Sequence, residues 1–164
     1  GVPCRGDGGV TRIWLHPRDG AAYEAVARFL ADRIGAEVAG WQTGTIMAIA
    51  KGDRIVAAVL FHNWQPRHGV IEVSAASDDR GWLSRAVLFD LFDYAFNQMG
   101  AQAVVARMDA GRPLIRIFEA YGFRRYDIPR LRGRDAAETV MILGDEDWKA
   151  NGFHKEHADG QKRA

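Results

Sequence analysis

The sequence is poor in the features that would tie it to a disulfide framework, a membrane or a polyanion through bulk charge. Its one cysteine, Cys4, has no partner for an internal disulfide, so a reducing, cytoplasmic compartment is expected. No apolar run approaches the roughly 20 residues that a membrane helix needs. The glycine-rich stretch 1–9 lacks the apolar centre of a signal peptide and is expected to be flexible. Neither sign of charge dominates: 22 basic and 21 acidic residues leave +1. That excludes a surface that is cationic throughout, but not local patches. No His, Cys and Asp set has metal-ligand spacing, so no metal is expected. His154 and His157 fall in a polar stretch, 149–164, that is expected to fray.

What is present is enough apolar material for a core, 48% of 164 residues, which predicts one domain over 10–148. Val10–His16 alternates as a strand does. Asp19 is placed to cap a helix with apolar positions Ala22, Val26, Phe29, Leu30 and Ile34, and Gly35 closes it. Gly44–Ala50 and Arg54–His62 read as a hairpin over Lys51-Gly52-Asp53. Asn63–His68 reads as a loop and Gly69–Ser74 as a strand. A polar turn from Ser77 to Gly81 leads into a helix with the stripe Val87, Leu88, Leu91, Phe92, Ala95, Phe96 and Met99, stopped at Gly100. Ala101–Met108 is a further strand. Pro113 starts a short helix that ends near Tyr121, before Gly122. Phe123–Ile128 and Glu138–Leu143 are the last strands, and Asp145–Trp148 adds a turn. The order β-α-β-β-β-α-β-α-β-β predicts an α/β (α+β) fold: one mixed, mostly antiparallel sheet flanked by helices.

The segment from Gly69 to Phe123 carries the most information. It holds Arg80-Gly81-Trp82-Leu83-Ser84-Arg85-Ala86-Val87-Leu88, then Tyr94-Ala95-Phe96, then Ile117-Phe118-Glu119-Ala120-Tyr121-Gly122-Phe123. These runs resemble the GNAT superfamily of N-acetyltransferases, in particular the branch of ribosomal-protein and aminoglycoside acetyltransferases. In element order the resemblance extends from about Val10 to Trp148.

The resemblance implies transfer of an acetyl or other acyl group from acetyl-CoA, or another acyl-CoA, to an amine. It implies that the coenzyme's pyrophosphate sits on the turn around Arg80, Gly81, Trp82, Leu83, Ser84 and Arg85. The physics suits this, because a turn entering a helix aims N–H groups and the positive dipole end at one spot. It also implies that N–H groups of Val73, Ser74 and Ala75 polarise the thioester carbonyl. With Gly81 aligned on the family's first glycine, Asp78 takes the Gln/Arg position and Leu83 the second small-residue position. Asp78 sets a like charge against a phosphate. Phe118 stands where the family often has a tyrosine acid, and Gly111 where it often has an asparagine.

Several side chains are candidates for the chemistry. Glu72 alternates with Ile71 and Val73 and is placed to act as a general base if its face opens on the substrate. His62 and His68, at strand ends, titrate near neutrality and are further candidates. The alternative for each is an ordinary polar surface residue. Trp64 and Trp82 flank the expected cleft, with core packing the competing reading, and Tyr121 reads as core. Arg124, Arg125, Arg130, Arg132 and Arg134 lie within eleven residues that hold one acid, Asp127. Such a cluster suits phosphate, and Arg130, Arg132 and Arg134 are the expected contacts if the partner is nucleic acid. Arg107, Arg112 and Arg116 flank the short helix, within reach of the coenzyme's adenosine phosphates.

Two other functions remain open. One is a DNA-modifying relative, because phage DNA-adenine modification proteins of Mom type are held to share this fold. The other is a binding module without catalysis. Monomer and homodimer are both open.

Overall fold

The computed structural model describes residues 4–6, 10–36 and 43–150. The stretch 151–164, with His154 and His157, and residues 37–42 lie outside the described residues. Eight strands run in the order β1-β2-β3-β4-β5-β6-β8-β7 within one sheet. They are β1 Cys4–Gly6, β2 Val10–Leu15, β3 Thr45–Lys51, β4 Arg54–Gln65, β5 Val70–Ser77, β6 Ala103–Asp109, β7 Arg124–Ile128 and β8 Glu138–Gly144. The helices are α1 Ala21–Ile34, α2 Arg85–Asp93, α3 Leu114–Tyr121 and α4 Asp145–Ala150. The described chain forms two compact units, Gly1–Asn63 with Val73–Leu91, and Trp64–Glu72 with Phe92–Ala164.

In the first unit, β1, β2, β3 and β4 pair antiparallel in succession. β1 lies within the stretch expected to be flexible, and its Cys4 pairs with Arg12 of β2. The core joins Tyr23, Val26, Ala27 and Leu30 of α1 to Ile46 and Ala48 of β3, Ala58 and Leu60 of β4, and Ala76 of β5. These sheet residues are spaced by two within each strand, as a single buried face requires. Asp19 does not cap α1. It closes a 3-10 turn, Pro17–Asp19, by accepting the N–H of His16 at 2.7 Å, and Gly20 takes the cap position. At the other end Gly35 is left-handed, φ 70°, as a helix stop requires.

In the second unit, β6 and β7 each pair antiparallel with β8. Gly69 joins the start of β5 to the start of β6: its carbonyl accepts from the N–H of Gln102 at 2.7 Å and of Ala103 at 3.2 Å. Both strands run forward from that point with helical chain between them, so they are parallel and the sheet is mixed. Only glycine fits there, because φ is +65° and a Cβ would meet Gln102 Cγ at 3.0 Å. The core of this unit is aromatic. Phe92 lies 5.1 Å from Tyr121 and 5.5 Å from Phe123, ring centre to ring centre, and Phe96 stacks on Trp148 at 5.2 Å. The Trp148 indole N–H donates to the Tyr121 hydroxyl at 2.9 Å. Burial pushes the Tyr121 phenol up to about 12.

Three elements outrun their sequence signals. β4 continues three residues past His62 through Asn63, which is held at φ 52°. β5 continues to Ser77. The helical stripe ends in a π-helical turn, Tyr94–Gln98, where the Asp93 carboxylate accepts from Asn97 at 2.7 Å and Gln98 at 3.3 Å.

Candidate functional site

The turn from Ser77 to Ser84 lies in the first unit and is braced by its own side chains. Ser77 Oγ accepts the N–H of Asp79 at 2.9 Å, and Asp79 Oδ1 accepts the N–H of Gly81 at 2.8 Å. Ser84 then caps α2: its Oγ accepts from Val87 N at 3.2 Å and its carbonyl from Leu88 N at 2.9 Å. The first-turn N–H groups ahead of Val87 have no partner within the helix.

Both aspartates of the turn are neutralised by cations far away in sequence. Arg33 of α1 grips Asp78 with two bonds, Nε to Oδ1 at 2.7 Å and an amino nitrogen to Oδ2 at 2.6 Å. Lys51, at the end of β3, pairs with Asp79. The hydrogen bond from Arg33 holds the Asp78 carboxyl below the usual carboxylate range. Asp79 is lowered first by Lys51 and then by the N–H of Gly81. The like charge expected of Asp78 is therefore compensated. Arg80 is exposed and has no ion-pair partner among the described residues. Ser84 and Arg85 are exposed, Leu83 is half-buried, and Trp82 is buried at 7% exposure in the core of its unit. Neither Arg33 nor Lys51 stood out in the sequence, because only folding brings them to the turn.

On β5, Val73 is buried, while Ser74 and Ala75 are half-buried. His62 Nε2 lies 2.9 Å from Ser74 Oγ, so the structure brings these two candidates together. Glu72 is half-buried on β5. In its own unit it acts on Arg107, whose guanidinium is raised first by its bond to Glu138 and further by the Glu72 charge. His68 lies in the turn before β5, where its carbonyl accepts from Gln102 Nε2 at 2.6 Å.

The arginine cluster divides. Glu138, 4% exposed, is bound by Arg107 Nε at 2.6 Å and by Arg132 Nε at 2.8 Å. Arg132 also reaches Asp109 at 3.4 Å. Arg132 is thus an anchor of its loop and not an open phosphate contact, which corrects the sequence reading. Arg124 pairs with Asp147 at 3.2 Å, and Arg125 with Asp127 at 3.0 Å and Glu119 at 3.3 Å. Arg130 and Arg134 are exposed without an ion-pair partner among the described residues. Arg112 lines a shallow depression with Gly111, Pro113, Ile115, Arg116 and Arg125. Phe118 is buried at 4% and stacks on Phe123 at 4.5 Å, so it serves the core. Among the described residues there is no cluster of three metal-ligating side chains, and no helix is long and apolar enough to cross a membrane.

No protein-family profile and no curated protein sequence matches the chain. Solved structures do. The spermidine/spermine N-acetyltransferase SpeG from Vibrio cholerae superposes with a TM-score of 0.69 at 12% identity, over 87% of this chain and 97% of that one. A GNAT-family protein from Chromobacterium violaceum gives 0.63 at 16% identity, over 90% and 93%. YncA from Salmonella typhimurium, solved with its cofactor acetyl-CoA, gives 0.61 at 19% identity, over 84% and 94%. With the strand order described above, these likenesses establish that the chain has the GNAT fold.

Proposed function

We propose that the protein transfers an acetyl or other acyl group from a coenzyme A thioester to an amine. The observation that carries this reading is the turn into α2. Its carboxylates are tied to Arg33 and Lys51, Arg80 is left exposed, and Ser84 opens a helix. A pyrophosphate suits that end of a helix, and an arginine beside it adds charge-assisted contacts. The GNAT fold supports the reading, as does the acetyl-CoA bound by YncA.

In this reading the coenzyme phosphates take the backbone of Gly81 through Ser84 together with Arg80 and Arg85. Arg112 meets the adenosine phosphates. The N–H groups of Val73, Ser74 and Ala75 polarise the thioester carbonyl. The amine nitrogen forms a C–N bond as the C–S bond breaks, and the amine's proton passes to Glu72. His62, held on Ser74, is the second candidate acceptor. The thiol leaves as a thiolate, because its pKa is near the roughly 8.5 of cysteine. No side-chain acid is needed, and the buried ring of Phe118 supplies none.

Gly81 allows a direct test. A Cβ there would meet only Asp79 Oδ1, at 3.5 Å, so Gly81→Ala should fold normally. It should keep the native Tm while acetyl-CoA affinity, read from the ligand-induced Tm shift, falls about tenfold. An unmoved Tm for the unaltered protein in millimolar acetyl-CoA would end the proposal. Glu72→Gln should lower kcat/KM for an amine by about 10²–10⁴-fold at neutral pH, and less where the amine is already unprotonated. Full activity across pH would remove Glu72 from the base role.

A further inference from the structure

Among the described residues, one face of the β6-β8-β7 sheet is left open. The cross-strand register builds it in rows: Val105, Ile142 and Arg124, then Arg107, Val140 and Tyr126. Side chains alternate along a strand, so these residues share a face. The opposite face of β6 and β8 is buried, with Val104, Ala106, Met108, Thr139 and Met141 each at 4% exposure or less, while β7 is exposed throughout. On the open face Val105, Val140 and Ile142 stay half-buried, whereas Tyr126 is 51% exposed. The patch continues into the next loop, where Leu131 is 48% exposed.

The loop that joins β7 to β8 is cationic, with Arg130, Arg132 and Arg134 against Asp135. Arg132 turns in to Glu138 and Asp109 and fixes the loop, while its neighbours Arg130 and Arg134 stay exposed without an ion-pair partner among the described residues. Arg130 is held at φ 64°, a conformation that costs a non-glycine residue and that the anchored loop maintains. Of the acids around the face, Glu138, Asp109 and Asp147 are bound by arginines, and the charge of Glu72 acts on Arg107. A second copy of this chain would set these arginines against their own kind. A partner carrying phosphates would not. Arginine matches phosphate with its planar fork, and an exposed tyrosine on a flat apolar sheet is a stacking platform for unpaired bases.

We infer that the open face of β6, β8 and β7, centred on Tyr126, together with Arg130 and Arg134 of the loop between β7 and β8, docks a single-stranded nucleic acid. Stacking on Tyr126 supplies sequence-tolerant affinity, and the two arginines supply its salt dependence. None of these three residues has a part in acyl transfer; Arg107, which shares the face, is the residue there that feels the charge of Glu72. Arg112, Arg116 and Arg125 line a depression of their own and are not part of the surface.

Fluorescence anisotropy with a labelled 20-nucleotide oligothymidylate, and with a duplex of equal length, tests this on the full chain. The single strand should bind more tightly than the duplex at 50 mM salt. Tyr126→Ala should weaken single-strand binding about tenfold and leave the salt slope unchanged. Arg130→Ala with Arg134→Ala should reduce the slope of log affinity against log salt by about 1.4, that is 0.7 for each phosphate contact. All three positions are exposed, and an unchanged Tm confirms that the variants fold. Four results would overturn the inference: no binding at 50 mM salt, equal binding of duplex with a neutral Tyr126→Ala, equal competition by polyglutamate, or displacement of the oligonucleotide by acetyl-CoA. The third result assigns the face to an acidic protein, and the fourth returns the arginines to the coenzyme.

Discussion

Two ionic clusters in this protein use the same residue types in opposite ways. At the turn into α2 two exposed or half-exposed aspartates are held by Arg33 and Lys51, with both partners of each pair reaching solvent. Around β8 a single buried glutamate, Glu138, gathers Arg107 from β6 and Arg132 from the loop between β7 and β8. In the first cluster cations cancel acids and set an arginine free, Arg80. In the second an acid consumes an arginine, Arg132, that the sequence offers to a ligand. The difference teaches that a count of charges along a chain does not say which charges a partner can meet. Pairing decides that, and burial decides how much each pair is worth.

The strongest way to break this comparison is at Glu138. Glu138→Ala should lower stability by about 3 kcal/mol, the lower end for stripping a buried ion pair, because the two arginines can recover water. Denaturant unfolding measures it, and a loss no larger than that of an exposed pair would show that burial is not the deciding factor. Tyr121→Phe sharpens the point with a neutral group. It removes the acceptor of the Trp148 N–H, which is buried, and should cost about 1–2 kcal/mol. The absorbance titration of the same variant should lose the phenol that ionises near 12.

Asp78→Asn should have the smallest effect, with Tm at pH 7 nearly unchanged and any loss fading in salt. The sign with pH is set by the lowered Asp78 carboxyl. Its contribution is present above the unfolded value of 3.8 and disappears as pH falls through the lower folded value. Thermal melts of both proteins should therefore converge in strong acid. A difference that grows as pH falls would reverse the assignment.

Elements with a clean local period were legible in the sequence. Val10–Leu15 alternates, the hairpin strands from Thr45 are continuous apolar runs around a turn signal, and the stripe of α2 repeats every three or four residues. Their signals lie within the segment itself. The end of β4 was not legible, since Asn63 takes a left-handed backbone and Pro66 follows, both of which suit a loop. Asp19 looked like a helix cap because its residue type suits one. Pro17 instead favours a tight 3-10 turn, and Asp19 caps that. The strand Cys4–Gly6 was hidden because its order comes from pairing with β2.

The candidate site divides along the same line. Near-neighbour signals in the chain sufficed for the order of strands and helices from Val10 to Leu143, the turn at Arg80-Gly81 ahead of a helix, and the alternation of Glu72 with Ile71 and Val73. Those are matters of near neighbours, of capping and of period, which a chain carries wherever it folds. Only the tertiary structure decided that Asp78 is silenced by Arg33, that His62 meets Ser74, that Phe118 belongs to the core, and that Arg132 is spent on Glu138 while Arg130 and Arg134 are not. The physical reason is range. An ion pair or a hydrogen bond acts over a few ångströms, and the partners at Asp78 and Ser74 come from 45 and 12 residues away. The packing of the core sets those separations, and no local pattern records them.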